Sequence, residues 1–282
     1  MTLDHSLVGV QSDPVERSWD ADAALIYALG VGAGADDPLQ ELQFTTENTA
    51  GVELRMLPTF AVLAAQVRTG RRIGDFDPAL LVHAEQGFEL HAPLPTAGRV
   101  TVTSMVTGMY DKGSGALVTT EARAVDAESG KHLITSRGGT FIRGEGGFGG
   151  DRGPRDEWAA PDRDPDHVVR YRTKPDQALI YRLSGDRNPL HADPAFAARG
   201  GFPRPILHGL CTYGFTGRAL LHALGDGDPD RFHSMYGRFS RPVLPGDELV
   251  VSIWRDGDGS ALFRTATADG TVVIDRGRTT FS

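Results

Sequence analysis

The chain holds a single cysteine, Cys211, in 282 residues. One thiol cannot close an internal disulfide, so the fold has no covalent staple and suits a reducing compartment. Long apolar runs are missing as well. Without a stretch of ~18 apolar residues, a membrane-crossing helix is not expected. The first twenty residues carry Asp4, Asp13, Glu16 and Asp20 and no apolar signal-type core, and the final TTFS matches none of the common address tripeptides. A cytoplasmic location is therefore expected. Basic charge is in deficit, with 29 Lys and Arg against 37 Asp and Glu, a net charge of −8. This argues against a nucleic-acid partner, because a phosphate backbone attracts clustered cations. It leaves open a small polyanionic ligand, for which a few well-placed cations suffice. What is present, 40% hydrophobic and 23% charged residues, is an ordinary soluble composition with enough chain for one large domain or two packed ones.

Compared with itself, the chain contains a repeat. ALIY occurs at residues 24–27 and again at 178–181, continuing as ALIYALG and ALIYRLSG. MLPTFAVLAAQVRTG from Met56 resembles ILHGLCTYGFTGRAL from Ile206 in pattern, and FELHAPLPTAGRV from Phe88 pairs loosely with FSRPVLPGDEL from Phe239. Three matches in the same order, roughly 150 residues apart, indicate a duplicated domain rather than a solenoid. In each copy a short helix holding ALIY leads to a Gly- or Pro-rich loop. A more apolar helix follows, over 58–67 in the first copy and 210–224 in the second. Alternating segments come next: VTVTSMVTGM and ALVTTEARAV, then ELVVSIWRDG, ALFRTATADG and VVIDRGRTTF. Period-two Val, Thr, Phe and Ile bounded by Gly-Asp or Asp-Gly turns predict antiparallel strands. The expected class is α+β, a sheet packed around a helix in each copy. The organisation expected is a tail over 1–15, a first unit over 16–143, a Gly-, Pro- and Asp-rich linker over 144–166, and a second unit over 167–282.

The two copies differ where chemistry could sit. After ALIYRL the second copy reads SGDRNPLH, while the first has Val31, Gly32, Ala33 and Gly34; aligning on ALIY sets Gly32 opposite Asp186. Likewise His208 and Gly209 face Pro58 and Thr59. Asp186, Asn188 and His191 lie within six positions in a loop containing Pro189. A carboxylate and an imidazole sharing one water can take a proton from it and return one to a substrate. Asn188 can orient that water or hold the substrate. Gly209 begins a helix, where free N–H groups favour negative charge and no Cβ blocks an approaching carbonyl. Taken singly, each residue has a plainer explanation. Asp and Asn before Pro are turn formers, His208 could pack or cap, Cys211 suits a small core position, and His222 and His233 look like surface residues.

Together, ALIYRLSGDRNPLHADPAFA and FPRPILHGLCTYGF closely resemble the (R)-specific enoyl-CoA hydratases, the hydratase 2 or MaoC-like family, especially its two-domain form. YALGVGA, LPTF, HAEQGFELHAPLP, DKGSGALV and GEGGFGG extend the likeness over about residues 20–282. The resemblance implies a double hot-dog fold, each half a long helix wrapped by an antiparallel sheet. It implies syn hydration of a trans-2-enoyl-CoA to a (3R)-3-hydroxyacyl-CoA, with no metal or redox cofactor. It assigns Asp186 and His191 as the catalytic pair, Asn188 as a positioning residue and the Gly209 amide as oxyanion donor. Acyl-CoA contacts would fall on His83, Ala84, Lys112, Arg187, Leu190, His208 and Phe239, and a functionally important glutamate on Glu47. Ala84 stands where a glycine is expected and could tighten the CoA channel. The first copy, lacking catalytic groups, would make room for a long acyl chain. The molecule would act alone or as a homodimer.

Alternatives remain at this point. The same groups could run the reverse reaction, dehydrating (3R)-hydroxyacyl-CoA or acyl carrier protein thioesters. A hot-dog thioesterase would aim water at the carbonyl instead, and a non-catalytic acyl-CoA binding module would not need Asp186, Asn188 and His191 at all.

Overall fold

The computed structural model describes residues 3–67, 72–77 and 80–282; the first two residues of the tail and residues 68–70 of the repeated segment lie outside these. Among the described residues ten strands form: β1 (Val15–Trp19), β2 (Leu81–Leu90), β3 (Gly98–Asp111), β4 (Gly115–Asp126), β5 (His132–Arg143), β6 (His167–Arg172), β7 (Phe232–Phe239), β8 (Glu248–Arg255), β9 (Ser260–Thr267) and β10 (Val272–Phe281). Their alternation turns one face inward. β3 buries Val100 and Val102, and β8 buries Leu249, Val251 and Ile253, with the residues between them less covered.

The strands make one sheet, in the order β1-β3-β4-β5-β2-β7-β10-β9-β8-β6, antiparallel throughout. The order is symmetric about the β2–β7 pair, so β1, β3, β4, β5 and β2 correspond to β6, β8, β9, β10 and β7. The junction runs from Glu85↔Arg238 to Glu89↔Ser234. The two copies thus share a continuous sheet instead of each closing its own.

The α-helices among the described residues are α1 (Ala21–Gly30), α2 (Leu42–Thr45), α3 (Ala61–Ala64), α4 (Gln177–Tyr181), α5 (Pro194–Arg199) and α6 (Gly209–Gly225), of which α3 and α6 lie on the inner face of the sheet. Every residue of α6 from Cys211 to Leu221 is buried, as expected for a helix wrapped on all sides. It packs against β6, β7, β8 and β10, while α3 meets β1, β2 and β5. The two ALIY helices pack on each other: a Cβ at Gly30 would lie 3.3 Å from the Tyr181 Cα, and Gln177 donates to the Gly30 carbonyl at 2.7 Å.

The halves are not equal, contrary to the expectation of a long helix in each. A 3-10 turn, Pro58–Phe60, leads into α3, which closes at Ala64 rather than reaching residue 67. The sheet beyond α3 is covered by a second apolar cluster, where Leu3, Leu7, Ile73, Phe76, Leu80 and Phe148 meet Met109, Val118 and Ile142.

Among the charged contacts that cross between the halves, the most buried centres on Arg218. Arg218, on α6 and almost fully buried, donates to both carboxylate oxygens of Glu41 at 3.0 and 2.6 Å and to the Val31 carbonyl at 2.8 Å. Glu41 also bonds His222 Nε2 at 2.8 Å and the Gly34 amide at 2.9 Å. His222 is therefore a paired residue and not the plain surface position that its sequence context suggested.

Candidate active site

Asp186 enters from a tight loop. Gly185, at φ 120°, turns the chain out of the 3-10 turn Arg182–Ser184 in a conformation that L side chains rarely adopt. The Asp186 carboxylate then accepts from the Asn188 amide at 3.0 Å, and the Asn188 side-chain oxygen accepts from the Leu190 amide at 3.0 Å. These local bonds and Pro189 set up a second 3-10 turn, Pro189–His191, which turns His191 into the interior.

His191 Nδ1 lies 2.9 Å from the Ile206 carbonyl oxygen. A carbonyl only accepts, so this nitrogen carries the hydrogen and Nε2 keeps a lone pair free to take a proton. Burial pushes the His191 pKa below its ordinary 6.5, against the opposing pull of the Ile206 carbonyl and the Asp186 carboxylate. The His208 ring stacks on His191 with centroids 3.7 Å apart and planes 27° from parallel. Its Nε2 lies 3.3 Å from the Asp186 main-chain oxygen. Burial, and then the neighbouring His191, hold its pKa well below the usual histidine range.

Ligand atoms of Asp186, His191 and His208 fall within 4.8 Å of one another. Two nitrogens and a carboxylate would suit a transition-metal ion in type. The ring geometry does not, because stacked imidazoles point their in-plane lone pairs along nearly parallel sheets instead of toward a common centre.

Gly209 follows His208 as the first residue of α6, and the first amides of a helix have no partner within it. A Cβ at Gly209 would stand 3.3 Å from the Phe239 ring, so glycine lets that ring close over the helix start. Phe239 in turn meets the His83 ring at 5.0 Å. His83, whose pKa burial lowers, lies within electrostatic reach of Asp186. Ala84 occupies a bulge in the β2–β5 register, and its φ is not positive, so the methyl group in place of a glycine strains no backbone.

The first copy cannot hold the same groups. Gly32, opposite Asp186 in the repeat, sits at φ 80°, and even a Cβ there would come within 2.3 Å of the Phe215 ring. Thr59, opposite Gly209, is hydrogen-bonded to Tyr27 at 2.9 Å and packs on Gly217.

Two family models divide the chain between them: the MFE-2 hydratase 2 N-terminal domain matches residues 18–144 and the MaoC like domain residues 157–276. A Mycobacterium tuberculosis protein named 3-hydroxyacyl-thioester dehydratase Y is 47% identical over 98% of both chains. Enoyl-CoA hydratase ChsH3 of the same organism is 43% identical over 89% of this chain and 88% of its own. The chain belongs to the MaoC-like hydratase 2 family. The crystal structure of a MaoC-like dehydratase from Phytophthora capsici superposes with a TM-score of 0.87 at 31% identity, covering 99% of this chain and 98% of that one. The chain has the double hot-dog fold, which a solved Mycobacterium tuberculosis protein, 13% identical with a TM-score of 0.54, also has.

Within this hydratase 2 fold, Asp186, His191, His208, Gly209, Phe239 and His83 come together. Lys112 is brought no closer than the neighbourhood: its ammonium bonds the Arg152 carbonyl and lies within electrostatic reach of Arg238 and Glu85, which precede Phe239 and follow Ala84 in their strands. Burial and Arg238 lower its pKa. Leu190 backs the loop against Gly200, and Arg187 is exposed on the loop's outside. Glu47 does not join them. It is exposed and accepts a hydrogen bond from Asn48, whereas the glutamate that the interior uses is Glu41. Two partners were not foreseen from the sequence. The Ile206 contribution is a main-chain atom, which no side-chain pattern reveals. Tyr181, buried with its hydroxyl unpaired and its ring 5.0 Å from His208, lay hidden in the repeat because Tyr27 occupies the same place in ALIY.

Proposed function

We propose that this chain adds water across the double bond of a trans-2-enoyl-CoA to give a (3R)-3-hydroxyacyl-CoA. The observation that carries the reading is the approach of the Asp186 carboxylate to within 4.8 Å of a ring nitrogen of His191, whose Nε2 the Ile206 carbonyl leaves free, beside the start of α6. Asp186 and His191 hold one water. As its oxygen bonds to C3 of the substrate, one of its protons passes to the pair, and the pair delivers a proton to C2 from the same side. Negative charge that grows on the thioester oxygen meets the Gly209 amide at the positive end of α6. Asn188, its oxygen committed to the turn, keeps its amide N–H groups for the substrate. His83, Ala84, Arg187, Leu190 and Phe239 border the thioester arm, and Lys112 meets a phosphate of CoA. The acyl chain extends toward the first copy, where α3 has four residues against the seventeen of α6.

The addition is redox-neutral and is complete with water, an acid–base pair and an amide donor, so the reading requires no cofactor beyond the CoA carried by the substrate. Its compartment is read as the cytoplasm, in line with the lone, buried Cys211; among the described residues no helix is long and apolar enough to cross a membrane. A homodimer is compatible with the reading, which needs only one chain per site.

The reverse reaction is the second reading, favoured by the relative named as a dehydratase. The same groups serve both directions. Incubation with trans-2-enoyl-CoAs of several lengths tests the assignment. Loss of the conjugated double bond with a 3R product supports it, and release of free thiol without a hydroxyacyl product overturns it in favour of a thioesterase.

A further inference from the structure

His208 is nearly inaccessible to solvent, at 1% exposure, and stands at the residue just before α6. Its side chain makes no capping bond to the helix. Its Nδ1 is buried without a partner. A side chain that only filled this space would bury no orphaned nitrogen, and an apolar ring of the same shape would avoid that desolvation. The polar contact it does make is with the Asp186 carbonyl, which obliges Nε2 to carry the hydrogen.

We propose that His208 is a positioning residue for the reaction: stacked on His191 and donating from Nε2 to the Asp186 carbonyl, one ring fixes both members of the acid–base pair. The inference rests on the hydratase reading. The charged and titratable groups facing this ring are His191, Asp186 and Arg182, with Tyr181 against it and His83 beyond Asp186. With His208 neutral, the proton exchanged in turnover resides on His191, and the Asp186 loop stays anchored to the same ring that orients the imidazole.

Three variants separate positioning from space-filling. In His208→Gln the amide nitrogen reaches the place of Nε2 without an aromatic ring. In His208→Phe the ring remains without the donor, and in His208→Asn the amide is too short to reach Asp186. The expected order is Gln well above Phe and Asn. The last two should lose ~10²-fold in kcat, the scale of a small misplacement of reacting groups, with KM near that of the parent. Amide hydrogen exchange of residues 186–188 in the unliganded variants should quicken in Phe and Asn and stay slow in Gln. Phe outperforming Gln, or parental kcat in all three, overturns the proposal. If the parent protein hydrates no enoyl thioester, the hydratase reading fails, while the exchange ranking still decides whether His208 anchors the loop. Should His208→Phe not fold, the Gln and Asn pair carries the same comparison.

Discussion

At His191 a main-chain carbonyl takes one ring nitrogen and leaves the other free, so the residue can act as a base only while it is uncharged. Burial lowers its pKa below 6.5, which widens the range in which that holds. The sign follows directly. The acid limb of hydration kcat/KM should be centred below pH 6.5; an acid limb centred above 6.5 contradicts the assignment. Asp186→Asn should reduce turnover ~10²-fold or more, the usual contribution of a general acid–base group, without loss of the folded circular dichroism signal. Parental activity in that variant would remove Asp186 from the chemistry. Asp186, Asn188, His191, His208 and Gly209 were legible in the sequence, because SGDRNPLH and HG stand in one repeat only, whereas Tyr181 was masked by its twin Tyr27. The roles of the Ile206 and Asp186 carbonyls were not, since main-chain atoms leave no trace in residue types.

At the scale of elements, α6 is the most demanding piece, for it carries Arg218 through the middle of the core. Burial pushes the Glu41 pKa up, but His222, Arg218 and the Gly34 amide together pull it down to about 2 from 4.5. A carboxylate depressed in the folded state adds stability above its unfolded value and loses it as pH falls. This contribution should therefore fade between about pH 4.5 and about pH 2. Glu41→Gln keeps the volume and leaves Arg218 as an uncompensated buried charge, so denaturant unfolding should report a loss of ~3–5 kcal/mol. A change under 1 kcal/mol would show that water reaches the pair freely. Glu41 escaped the sequence reading because it lies in a Gly-, Asp- and Pro-rich stretch that looks like solvated loop, and the loose match in that stretch favoured Glu47. The strands β3, β4, β8, β9 and β10 were legible from clean alternation. The central β2 and β7 were not, because HAEQGFEL and FHSMYGRF interrupt the pattern with Glu, Gly, His and Ser.

Over the whole molecule, the pairing of β2 with β7 makes the two copies one sheet, and Glu41–Arg218 ties the first copy to the main helix of the second. The duplication could be read from ALIY and its companions, but the junction depends on a pairing between residues about 150 positions apart, such as Glu85 with Arg238, which local patterns do not encode. Because the core is continuous across this junction, calorimetric unfolding should give a single transition with calorimetric and van't Hoff enthalpies in agreement. Two separated transitions would mean that the halves hold their structure independently. The same continuity confines the proposed chemistry to one site per chain, since Phe215 and Thr59 block the positions where a second would form.

The central claim, that Asp186 and His191 add water to an enoyl thioester from one face, is tested most directly by running the reaction in heavy water with a trans-2-enoyl-CoA and analysing the product by mass and chirality. The account expects one deuterium at C2, syn to a 3R hydroxyl, and a loss of at least ~10²-fold in rate for His191→Ala. A 3S product, anti addition, or undiminished turnover in His191→Ala would contradict it.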